Sequence, residues 1–136
     1  MDQTLVNKRV LIAEDEPAML MALTDRFRRE GCVVTGASDG EAALSTAVRE
    51  RPDVILLDIL MPKMDGMQVL GKIRDNAGWG KVVPVIILTN VPADEKIMSS
   101  VMRDSASYYL LKSDWKLYEV VERVRNCFRN PATPTL

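Results

Sequence analysis

Five short runs of apolar or β-branched residues, at positions 10–13, 32–35, 54–57, 85–88 and 108–111, punctuate the chain, and a helix-length amphipathic segment separates or follows each of them. Continuous apolar runs of this length are the pattern of strands buried on both faces. Strands that alternate with helices are joined by right-handed crossovers into a parallel sheet. The chain has 136 residues, a length that suits one domain and excludes a second full one. With 47% hydrophobic residues it builds a core without disulfide or metal.

The segments between the runs carry their own punctuation. Pro17 suits a first helical turn, Leu20, Leu23 and Phe27 recur at spacings of three and four, and Gly31 is placed to end that helix. Asp39 is expected to cap a second helix, with Ala42, Ala43 and Val48 along it, which Pro52 stops. Asp65 caps a third, with Met67, Leu70 and Ile73 inward and a Gly-Trp-Gly break at 78–80. A fourth segment, about 93–103, offers Ile97 and Val101 beside Met98 and Met102. The fifth places Leu117, Val120, Val121, Val124 and Phe128 on one face. Five such units predict an α/β, flavodoxin-like doubly wound (βα)5 fold, a five-stranded parallel sheet with helices on both faces. Ligands of such sheets sit at the carboxyl ends of the strands.

Charge and composition narrow the function. Lys and Arg number 18 against 19 Asp and Glu, a balance unlike that of a non-specific nucleic-acid binder or a polybasic membrane binder. The balance is an average of opposite halves, since residues 1–68 carry 12 acids and 8 bases whereas 69–136 carry 7 acids and 10 bases. There is no His, which removes His-based nucleophiles, zinc sites and acid–base chemistry. Cys32 and Cys127 lack metal-ligand spacing and read as reduced core thiols of a cytoplasmic protein. The longest uncharged stretch, 82–93, is well short of the ~20 residues that span a bilayer.

Residues just past the strands form a chemically coherent set: Glu14, Asp15 and Glu16 after the first, Asp58 after the third, Thr89 at the end of the fourth and Lys112 after the fifth. Singly, each has an ordinary role as a turn, cap or solvated residue. Together at one sheet edge, the carboxylates of Glu14, Asp15 and Asp58 repel one another and require a cation, and their hard oxygens suit Mg²⁺. A hydroxyl at Thr89 and an ammonium at Lys112 facing them point to phosphoryl transfer onto an aspartate.

These motifs, VLIAEDEP at 10–17, VILLDILMPKMDG at 54–66, PVIILTN at 84–90 and SYYLLK at 107–112, resemble the receiver domain of bacterial two-component response regulators, in its single-domain form. The resemblance covers about 7–129. It implies Asp58 as the phosphoacceptor, Mg²⁺ held by Asp15, Asp58 and the Leu60 carbonyl, and Glu14 acting mostly through water. It also implies Thr89 and Lys112 on the phosphoryl oxygens and Tyr109 as the aromatic that turns inward as Thr89 moves. The implied partners are a sensor histidine kinase or phosphotransfer protein, then a downstream protein on the face of the fourth helical segment, fifth strand and fifth helical segment. No direct nucleic-acid or membrane contact is expected, and a homodimer is left open.

Three positions depart from the family pattern: Ser113 where Pro with a cis bond is usual, Asn90 where Ala or Gly is common, and Ser105 where Gly is usual. They bear on kinetics and switching amplitude, since no reacting group is lost. Leu60 and Val91 would flank the path of an attacking water without orienting it, which predicts slow self-dephosphorylation. Two other functions remain open here, an aspartate-nucleophile phosphohydrolase and a phosphorylation-independent interaction module. The first would carry an Asp where Leu60 stands; the second would be expected to lose an acid, Thr or Lys. The receiver is expected over 1–129, and 130–136, with Pro131 and Pro134, as a disordered tail or linker stump. The chain fits a complete single-domain regulator or a piece of a longer protein.

Overall fold

The computed structural model describes residues 2–129; the expected tail at 130–136 lies outside the described residues. The strands are β1 (Arg9–Ala13), β2 (Val33–Ala37), β3 (Val54–Leu57), β4 (Val85–Thr89) and β5 (Tyr108–Leu111). The helices are α1 (Pro17–Arg29), α2 (Gly40–Glu50), α3 (Gly66–Arg74), α4 (Trp79–Val82), α5 (Glu95–Arg103) and α6 (Leu117–Arg129). All pairings are parallel and the order is β2-β1-β3-β4-β5, the doubly wound sheet the alternation predicts. No helix among the described residues is long and apolar enough to cross a membrane.

Period-two alternation divides each strand between two cores. Val10, Ile12, Val54, Leu56, Ile86, Leu88 and Leu110 pack with Leu23 and Phe27 of α1 and Val120, Val121 and Val124 of α6. Leu11, Ala13, Ile55, Leu57, Val85 and Ile87 pack with Ala43 and Ala47 of α2, Val69, Leu70 and Ile73 of α3 and Val101 of α5. Cys32 and Cys127 are free and buried, and removal from water pushes both thiols up to about 11.

Four local expectations need correction. Strand β2 starts one residue later and ends two residues later than 32–35, and it is an edge strand rather than one buried on both faces, with Val33 56% exposed. Val48 faces solvent, because Ala43 and Ala47 supply the inward stripe of α2. Met67 is only half-buried, and Val69 takes a place in the core with Leu70 and Ile73. The third helix already stops at Arg74, with Asp75 as its C-cap, and the Gly-Trp-Gly segment instead opens the single turn of α4, giving six helices among the described residues. The Trp79 indole N–H donates to the Pro52 carbonyl (2.8 Å).

The predicted caps form. Asp39 accepts from the Ala42 amide (2.7 Å), and Asp65 closes a capping box with Gln68. The half-buried Arg74 guanidinium ties α3 to two distant turns, donating to the carbonyls of Asp104 (2.8 Å), Val83 (2.7 Å), Gly80 (3.1 Å) and Ser105 (3.2 Å). Ser105 adopts φ 53°, the left-handed conformation that glycine would take more easily.

Gly66 connects the fold to the candidate site. Its amide donates to the Ile59 carbonyl (2.8 Å), and a Cβ there would overlap the Asp58 carbonyl oxygen. The Asp-Gly step thus serves twice, as helix cap and as the gap that lets α3 start against the residue after β3. Gly66→Ala is expected to destabilise the protein by about 1–3 kcal/mol through overpacking, read as a lower urea midpoint with unchanged m-value.

Candidate functional site

The parallel ladder continues one residue beyond the strands. The Glu14 amide donates to the Ala37 carbonyl (2.9 Å), the Asp58 amide to that of Ala13 (3.0 Å) and the Lys112 amide to that of Thr89 (2.8 Å). The alternation therefore carries over: Glu14 follows Val10 and Ile12, Asp58 follows Val54 and Leu56, and Lys112 follows Tyr108 and Leu110, all on the α1–α6 side. Thr89 follows Ile87 and falls on the opposite side, as does Tyr109.

The charged groups meet. Lys112 Nζ lies 2.5 Å from Glu14 Oε1 and 2.8 Å from Asp58 Oδ2, with all three side chains at least nine-tenths buried. Asp58 Oδ1 accepts from the Ile59 amide (2.7 Å), and Glu14 Oε2 accepts from the Glu16 amide (3.1 Å). Asp15 is exposed at the rim, and carboxylate oxygens of Glu14, Asp15 and Asp58 all lie within 4.8 Å of one another. Three hard oxygen donors so placed could hold a metal ion.

Burial raises the Glu14 pKa, and the nearby Asp58 charge adds to it, more than the hydrogen bonds from Lys112 and Glu16 lower it. Burial also opposes the Lys112 charge, but hydrogen bonds to Asp58 and Glu14 and their negative charge outweigh it, so that lysine stays cationic with a raised pKa. Thr89 is fully buried and its hydroxyl accepts from the Val91 amide (3.3 Å). Tyr109 is half-buried and packed inward, its hydroxyl donating to the Val91 carbonyl, and burial raises its pKa. Leu60 is 64% exposed and Asn90 is exposed. The Lys112–Ser113 bond is trans, as are all others among the described residues.

Glu14, Asp15, Asp58 and Lys112 thus meet at one edge, Thr89 ends the adjacent strand β4, Leu60 is exposed two residues past Asp58, and Tyr109 lies within β5 on the other side of the sheet. Sequence reasoning did not foresee that Lys112 bonds Glu14 as closely as Asp58, although their shared strand parity signals it. It also passed over Trp115, which lines a cavity of about 240 Å³ beside Lys112 with Met19, Leu23 and Leu88. An aromatic three residues past the lysine was the available signal.

A doubly wound sheet with an acidic, metal-capable edge and a lysine set into it defines a signalling domain of the receiver class. The chain matches the family described as response regulator receiver domain over residues 10–125, and it belongs to that family. It is 34% identical over 128 residues to the probable transcriptional regulatory protein TcrX of Mycobacterium tuberculosis, covering 93% of this chain and 52% of that protein. The chain spans about half, or less, of the length of TcrX and of the next curated relatives it matches. Among solved structures it is similar to the receiver domain of a Francisella response regulator (TM-score 0.79, 28% identity, 92% of this chain and 99% of that one). It is also similar to a chain of the CheX–CheY–BeF3–Mg²⁺ complex of Borrelia burgdorferi (TM-score 0.79, 28% identity, 90% of each chain). The chain is a receiver domain of two-component signalling, a class that works with histidine kinases or phosphotransfer proteins.

The raised Glu14 pKa has a definite sign. Between the unfolded value near 4.5 and the higher folded value, the folded chain keeps a proton the unfolded chain has lost, so this group's contribution to stability falls as pH rises. Glu14→Gln is expected to remove that fall and to raise the urea midpoint at pH 7 more than at pH 4, measured in metal-free buffer.

Proposed function

We propose that Asp58 accepts a phosphoryl group from the phosphohistidine of a sensor histidine kinase or phosphotransfer protein, and that the resulting acyl phosphate switches a protein-binding face. The observation that carries this reading is the Lys112 ammonium held against Asp58 at the carboxyl edge of the sheet, with the Thr89 hydroxyl buried on the neighbouring strand end. An Asp58 carboxylate oxygen attacks phosphorus and the phosphorus–nitrogen bond of the donor breaks, the imidazole leaving with the electron pair. Lys112 and Thr89 then each take an equatorial phosphoryl oxygen. Because Lys112 is already a cation fixed by two carboxylates, little rearrangement is needed to meet the new charge.

Glu14, Asp15 and Asp58, with the Leu60 carbonyl, would hold Mg²⁺, and Glu14 would act mostly through water. Bound there, the ion supplies neutralisation of the third oxygen. The Mg²⁺ and BeF3 of the structurally similar Borrelia complex support a Mg²⁺ site in this fold. Tyr109 and Thr89 are linked through Val91, the tyrosine by the Val91 carbonyl and the threonine by its amide. Movement of Thr89 toward a phosphoryl oxygen would therefore reach the face of α5, β5 and α6, where Met98 and Met102 are exposed.

Incubation with Mg²⁺ and acetyl phosphate is expected to add one phosphoryl group by intact mass. The adduct should vanish in Asp58→Ala and when Mg²⁺ is chelated. No adduct on the unaltered chain, from the small donor or from a cognate kinase, would revive the interaction-module reading.

The exposed Leu60 and half-buried Val91 offer no hydrogen bond to an incoming water. The aspartyl phosphate is expected to decay slowly, and Leu60→Asn to hasten the decay several-fold, followed by loss of the mass adduct after donor removal. Rapid decay of the unaltered protein, or no response to the substitution, would refute the assignment.

A further inference from the structure

The loop that carries Lys112 into α6 has few restraints of its own. At the strand side the Lys112 amide bonds Thr89, and the Asp114 amide closes a turn on the Leu111 carbonyl (3.0 Å). At the helix side the Lys116 amide donates to the Glu119 carboxylate (2.9 Å). Between these ends Ser113 and Asp114 are exposed, and neither is a proline. Trp115 is the one apolar side chain between Lys112 and Leu117.

That side chain is clasped. Trp115 is half-buried against the α1–α6 core, and the Arg123 guanidinium lies over its ring, 4.6 Å from the centroid. The same guanidinium lies 5.6 Å from the centroid of Tyr108, at the start of β5. One cation from the second turn of α6 thus faces a ring at the start of β5 and a ring in the loop after it, both against the same core. Tyr108 and Lys112 share strand parity, so the clasp grips the face from which the lysine leaves. Trp115 and Lys112 also line the same cavity, with Met19, Leu23 and Leu88 opposite. A guanidinium over an aromatic face is directional, and less hydrated than an ammonium, so it can fix a loop that lacks proline.

We propose that Trp115, clasped by Arg123 and Tyr108, is the positioning residue for Lys112, and sets the place of its ammonium at the Asp58 edge. This rests on the reading of Lys112 as the partner of the incoming phosphoryl oxygen. Trp115 touches neither phosphorus nor metal and acts only through the loop. Misplacing a catalytic group by 1 Å can cost on the order of 100-fold in rate, so even partial loosening is measurable.

The test measures adduct formation with Mg²⁺ and acetyl phosphate in the full chain for Trp115→Ala, Trp115→Phe, Arg123→Ala and Lys112→Ala, with Mg²⁺ affinity titrated separately. Trp115→Ala and Arg123→Ala are expected to slow the step about 10-fold with Mg²⁺ affinity unchanged, and Trp115→Phe to recover most of the rate. Arg123→Ala alters a half-buried surface residue and keeps the test valid should Trp115→Ala fail to fold. Wild-type rates in both alanine variants while Lys112→Ala is slow would overturn the positioning role and leave the reading of Lys112 intact. A parallel loss of rate and Mg²⁺ affinity would also overturn it, since that marks a general collapse of the edge. A wild-type rate in Lys112→Ala would instead overturn the reading of the site on which the inference rests.

Discussion

Two carboxylates buried side by side at the end of a parallel sheet repel each other, and the ammonium of Lys112 is what lets Glu14 and Asp58 stand there. The contact cannot be made locally, since Glu14, Asp58 and Lys112 come from the ends of β1, β3 and β5. The sheet brings them together through register: Val10 opposes Val54, Ile55 opposes Val85, and Ile87 opposes Tyr109. Every strand pairing between β1 and β5 is therefore a condition for one ion cluster. A register slip of one residue would turn a charged group into the opposite core.

The same alternation separates two tasks. Glu14, Asp58 and Lys112 face the α1–α6 side, where Trp115 and Arg123 bear on the loop carrying the lysine. Thr89 and Tyr109 face the side of α2, α3 and α5, where both reach Val91. A group bound at the strand ends thus adjoins both sides of the sheet, with charge balance on one and the threonine–tyrosine pair on the other. Arg74 anchors the second side at its far end, bonding the turn through Asp104 and Ser105 that leads into β5. Movement of Tyr109 would occur against a fixed base rather than in a loose strand.

Most of this was legible before the structure, for identifiable reasons. The runs at 54–57 and 85–88 match β3 and most of β4 because central strands are apolar on both faces, a pattern that needs no tertiary knowledge. Asp39 and Asp65 declare their helices because capping is a local bond. What was missed depends on distant neighbours. Whether Val33 is buried depends on β2 having a partner on one side only, and Val48 is displaced from the core by Ala43 and Ala47, which let α2 lie close to the sheet. The Glu14–Lys112 bond needed strand order as well as strand ends. Trp115 escaped because an aromatic in a loop has no periodicity to betray it, and its clasp with Arg123 spans the start of a helix.

Charge at the edge sets the direction in which the site can act. Three carboxylates against one ammonium leave it short of positive charge by two. A divalent cation restores neutrality, whereas a second lysine would add charge with no free coordination position for a phosphoryl oxygen. Phosphorylation of Asp58 would exchange one negative charge for about two, and so unbalance a site that had just been neutralised. The Thr89 hydroxyl would then meet a phosphoryl oxygen beside Lys112, whose ammonium already faces two carboxylates. On the proposed reading the added charge would reach Thr89, which faces the Tyr109 side, and through the contacts both residues make with Val91 it would bear on the α5–β5–α6 face.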